Sequence, residues 1–170
     1  MTLSVDDRRE ALRRAGVWLA NECGDHKSIR FGEDDFALAQ PLRTTIGELK
    51  DAGYIKQIAQ LGSSTTPFML TLAGWVKAQE LSGRFASDEF NERRGRLCAT
   101  LKQFVAGRHA RAIVHIDHVV AQSSLPFDWV WNMLEANVLH RLDPKGRFDV
   151  RFEGRNVWID LTFGQEPVDL

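Results

Sequence analysis

Apolar positions recur every three to four residues over much of the chain, and twice that rhythm gives way to alternation. Leu12, Ala15, Leu19 and Cys23, with Trp18 beside them, make one apolar stripe and predict a helix over residues 6–22. Ser4 and the acids Asp6, Asp7 and Glu10 suit its N-terminus, and Glu10 reaches Arg14 four residues on. A loop, "CGDHKSIRFG", leads to a short helix expected within 33–39. Pro41 then opens "PLRTTIGELKDA", which buries Leu42, Ile46 and Leu49. Gly53 ends that helix, because the left-handed conformation of such a cap costs glycine little.

"YIKQIAQLGSSTTPFMLTL" reads as strand, turn-forming tip and returning strand. A closing helix follows, with Leu72, Val76 and Leu81 inward. After the polar crossing "SGRFASDEFNERRGR", Phe90, Leu97, Leu101, Phe104 and Val105 define another long helix, with Ser87 as its N-cap. "IDHVVAQSS" is a short helix and "LPFDWVWNMLEANVLHRL" a third, again with proline at its start. Phe148, Val150 and Phe152 alternate with Asp149, Arg151 and Glu153, so the last segment is a hairpin turning near Gly154. The order helix, helix, proline-led helix, β-ribbon thus occurs twice without any residue-level repeat.

The run "L..AGYI … FMLTLAGW" resembles the winged helix-turn-helix superfamily. In small regulators of that kind the recognition helix ends in Gly, an aromatic or aliphatic residue, and Ile, and the wing returns into Leu-Thr-x-x-Gly. The resemblance covers nearly the whole chain and implies an α+β, mainly helical protein. It would have two tandem winged-helix domains, residues 1–84 and 85–170, each of three helices and a β-hairpin wing. It also implies DNA contact through the third helix of the first domain, at Arg43, Thr44, Thr45, Glu48 and Lys50, with Ser63, Ser64 and Thr65 on the wing. The wing "LGSSTTP" departs from the DNA-binding pattern, since it has no arginine or lysine. A plain turn and a solvated helix face are the alternative there.

Charge divides the two halves. In "FDWVWNMLEAN" the residues Asp128, Asn132 and Glu135 are expected outward with Trp129 or Trp131 at the margin. Carboxylates repel phosphate, whereas tryptophan with few cations is the composition of a protein interface. The competing expectation packs both tryptophans against the hairpin. The formal charge of −1 gives no bulk attraction for polyanions. Two function classes follow: a DNA-binding transcriptional regulator, possessing the double-stranded DNA partner the resemblance implies and dimerising to match half-sites, or a scaffold subunit. Paired winged helices of near-neutral charge are similar to accessory subunits of chromosome-condensation and membrane-trafficking complexes.

The remaining chemistry is sparse. His109, His115 and His118 lie close in sequence, and Cys23 and His26 form "CGDH", but no spacing fixes four zinc ligands. Neither a phosphate-cradling glycine loop nor a nucleophile elbow nor HExxH is present. No metal, cofactor or catalytic residue is therefore assigned, and a non-enzyme is expected. With 44% hydrophobic and 26% charged residues, two distant cysteines and no run of about 18 apolar residues, the expectation is a cytoplasmic protein without a membrane span.

Overall fold

A computed structural model describes residues 4–25, 30–31, 42–58, 68–106, 111–136 and 148–161. These residues form an α+β, mostly helical protein with two small antiparallel sheets. Contacts divide the chain into two compact units, Met1–Ser87 and Asp88–Leu170. The short helix expected at 33–39 lies outside the described residues.

In the first unit, α1 (Val5–Cys23) packs on α3 (Leu72–Leu81), burying Ala15, Leu19 and Ala20. Gly16 permits the approach: a Cβ there would stand 2.6 Å from Leu81 Cβ. The inward face of α3 differs from the expected one. Trp75, Ala78 and Gln79 are buried, whereas Leu72, Val76 and Leu81 are half-buried. Polar satisfaction explains the phase: Trp75 Nε1 and Gln79 Nε2 both donate to the Gly24 carbonyl, at 3.0 and 3.2 Å. A buried indole and amide are thereby matched by the orphan end of α1.

The helix α2 (Leu42–Asp51) stops as its sequence predicts. Gly53 has φ 72°, Gly53 N–H donates to Lys50 O, and Tyr54 N–H donates to Leu49 O, both at 2.9 Å. Strand β2 (Ile55–Gln57) then pairs with β3 (Phe68–Leu70). Thr71 ties the return to the helix end. Its N–H donates to Tyr54 O (3.0 Å), and its hydroxyl donates to Gly53 O (2.7 Å). The same hydroxyl oxygen accepts Gly74 N–H (3.0 Å) and so caps α3. Gly74 is required because a Cβ would fall 1.9 Å from Tyr54 O. These contacts are the physical content of the Leu-Thr-x-x-Gly pattern. A third strand absent from the sequence reading, β1 (Arg30–Phe31), pairs with β3, giving the order β1-β3-β2.

The second unit opens with α4 (Asp88–Val105), which buries Phe90, Leu97, Leu101 and Val105; Phe104 is half-buried. Strand β4 (Arg111–His115), likewise unforeseen, feeds directly into α5 (Ile116–Ser123). A left-handed Ser124 (φ 52°) turns the chain into α6 (Phe127–Glu135). The hairpin is β5 (Phe148–Glu153) and β6 (Asn156–Leu161), joined by a two-residue turn with Gly154 at φ 60°. Strand order is β4-β6-β5, so in both sheets the strand last in sequence is central. Val114, Val150, Val157 and Ile159 are buried, marking the sheet's inner face.

Candidate interaction surfaces

The first surface is the expected reading helix. Arg43, Thr44 and Thr45 lie on α2, but their side chains fall outside the described residues, as do Ser63, Ser64 and Thr65 of the expected wing tip. Glu48 is half-buried. Lys50 is exposed and donates to Gln57 Oε1 of β2 at 3.2 Å, while Lys56 on β2 is exposed as well. The structure thus brings two lysines to the junction of α2 and β2.

The second surface, on α6, needs correcting. Trp129 is 3% exposed and packs edge-on against Phe90, ring centroids 5.8 Å apart, with the Arg93 guanidinium 6.0 Å from its ring centroid. Asn132, expected outward, is 2% exposed. Neither offers a free face to a partner. The reason is circumferential: Val130, Met133 and Leu134 are buried too, so more than half of α6 points inward and the turn holding Asn132 goes with it. The outward remainder is Asp128, Trp131 and Glu135. Trp131 is half-buried, edge-on to Phe152 at 4.6 Å, and its Nε1 donates to Glu135 Oε2 at 3.0 Å. A face of one tied indole between two carboxylates does not attract phosphate.

The third surface was not singled out from the sequence. On the outer face of the second sheet, register places Ile113, Trp158 and Arg151 side by side. Ile113 is 55% and Trp158 44% exposed, and with Val5 they are the exposed large apolar side chains among the described residues. The neighbouring row holds Arg111, Asp160 and Asp149. Arg111 Nε meets Asp160 Oδ2 at 2.9 Å, and Arg151 Nη2 meets Asp149 Oδ2 at 3.5 Å. Together these residues line a cavity of about 670 Å³. Two guanidiniums and two carboxylates cancel, leaving an apolar centre inside a neutral polar frame. The sequence carries no alternation to reveal it, since "RAIVH" and "NVWID" each hold three consecutive apolar residues. Both segments are short, and each takes its strand form from the pairing of β4 with β6.

Of His109, His115 and His118, the first lies outside the described residues and His115 serves the fold. His115 caps α5, its Nδ1 accepting Asp117 N–H at 3.4 Å, and its ring lies 6.4 Å from that of His118. Arg155 Nη2 donates to Asp117 Oδ1 at 2.8 Å, which, ahead of smaller charge effects, holds the Asp117 carboxyl below the usual range. Among the described residues no group of three or more His, Cys, Asp or Glu side chains is arranged to hold a metal ion. Among them also, no helix is long and apolar enough to cross a membrane.

No family model, curated protein or solved structure matches this chain.

Proposed function

We propose that the chain is a non-catalytic, tandem winged-helix assembly protein, a scaffold or adaptor whose second unit binds protein through the outer face of its sheet. One observation carries this reading: Trp158 and Ile113 stand exposed side by side, framed by arginines already neutralised by Asp160 and Asp149. A large apolar centre with a satisfied polar rim is the anatomy of a protein interface, and tryptophan is the residue most often dominating its energy. The winged-helix part of the reading is supported by the recurrent strand order and by the Gly53, Thr71 and Gly74 contacts.

The test is quantitative affinity capture with the full chain, its Trp158→Glu form and its Trp131→Phe form. Loss of a stoichiometric partner from Trp158→Glu alone, at an unchanged unfolding temperature, supports the reading. Equal capture by all three overturns it.

A second reading, duplex DNA bound through the first unit, is favoured by the exposed pair Lys50 and Lys56. Its mark is an affinity that falls steeply with salt and weakens in an Arg43→Ala, Lys50→Ala double variant. No retardation of genomic duplex at low salt removes it.

A further inference from the structure

The strand β4 has a second binding element, its outer edge. Ile116 N–H donates to Arg155 O at 2.9 Å, which fixes the phase of the ladder with β6. Hydrogen-bonded pairs alternate along an antiparallel ladder, so the backbone groups of Ala112 and Val114 point to β6. Those of Arg111, Ile113 and His115 therefore point the other way. Among the described residues no strand pairs with that edge. Such an edge is a template for another strand.

We propose that the occupant of this edge is a second copy of the chain, β4 pairing with β4 antiparallel about a two-fold axis at Ile113. This rests on the reading of the sheet as an assembly surface and names its partner. Three observations select a second copy. The outward-bonding residues 111, 113 and 115 are symmetric about 113, so a copy placed with Ile113 opposite Ile113, and Arg111 opposite His115, satisfies all of them without overhang. The same register joins the two outer faces: each Ile113 gains the other, and Trp158, Ile113, Ile113 and Trp158 form one continuous apolar stripe. Charge permits it as well. Arg111 and Arg151 carry their own counter-ions, and Asp117 beyond the end of β4 is already matched by Arg155 at 2.8 Å, so among the described residues the pairing brings no unneutralised like charges together at the seam. The product is a six-stranded sheet across an isologous interface.

A single strand pair buries less than the roughly 1,200 Å² of a standard stable interface, so the dimer is concentration-dependent. Sedimentation of the full chain under reducing conditions should show a rise toward twice the 19.3 kDa chain mass with concentration, abolished by Ile113→Lys. Register is read by crosslinking in a Cys23→Ser, Cys98→Ala background. Ile113→Cys places two thiols on opposed residues about 5.5 Å apart at Cα, within disulfide reach. Arg111→Cys leaves its two thiols at least about 13 Å apart along the strand. Oxidation should therefore link Ile113→Cys at least about tenfold faster than Arg111→Cys. Equal rates overturn the inference, as does a chain that stays monomeric up to about 1 mM. A monomer that still captures a partner through Trp158 overturns the dimer while sparing the assembly reading. A dimer with Trp158→Glu capture unchanged does the reverse.

Discussion

Replacing Thr71 by valine keeps the shape of the side chain and deletes its oxygen. Two interactions are lost at once: the cap on Gly74 N–H (3.0 Å) and the bond from the hydroxyl to Gly53 O (2.7 Å). A lost threonine N-cap costs about 1 kcal/mol within a range of about 0.5–2. The hydroxyl bond adds up to about 1 kcal/mol, reduced by the water that reaches the exposed Gly53. The sum is up to about 2 kcal/mol. In a unit of this size each kcal/mol lowers the midpoint by about 4–8 °C, so Thr71→Val should lower the first unit's transition by up to roughly 8–16 °C. Thr71→Ser keeps the oxygen and should retain most of that. Calorimetry of the full chain gives the shift, and amide hydrogen exchange assigns it. Faster exchange should appear at the end of α2 and in β2 and β3, not in β4 to β6. A Thr71→Val midpoint within about 2 °C of Thr71→Ser would refute the stapling role.

Gly74→Ala should be harsher than Thr71→Val, because a methyl 1.9 Å from Tyr54 O forces backbone apart rather than removing one polar group; equal midpoints for Gly74→Ala and wild type would contradict the close approach. Glu10 accepts from Arg13 and Arg14 at 2.8 and 2.9 Å, and these bonds lower its pKa from 4.5 to about 2. Its contribution is thus complete above pH 4.5 and lost as pH falls through about 2. Stability of wild type should drop more steeply than that of Glu10→Gln across this window in urea titrations, by a small amount that shrinks with salt because the pair is exposed.

What could be read from the sequence was whatever a single residue type enforces locally. Gly53 and Gly154 announce positive φ, and both turns lie where the sequence puts them. The long helices α1 and α4 were legible because their apolar stripes persist over several turns. What escaped depended on partners distant in sequence. A two-residue strand such as β1 has no period, and β4 becomes a strand by pairing with β6. Trp75 turns inward because Gly24 supplies an acceptor fifty-one residues away. Asn132 follows its helix into the core, although its side chain alone argues for water. The exposed Trp158 row was hidden for the same reason, since it exists only once three strands are aligned.

The central position of the last strand also governs how the second unit comes into being on the ribosome. β4 is synthesised by His115 and β5 by Glu153, yet neither borders the other, and both wait for β6, which begins at Asn156. Until then the nascent unit carries two strands without their central partner, and pairing β4 with β6 must close a separation that contains α5, α6 and β5. A chain released before residue 156 lacks the strand on which both others pair, and is therefore open to clustering with its siblings.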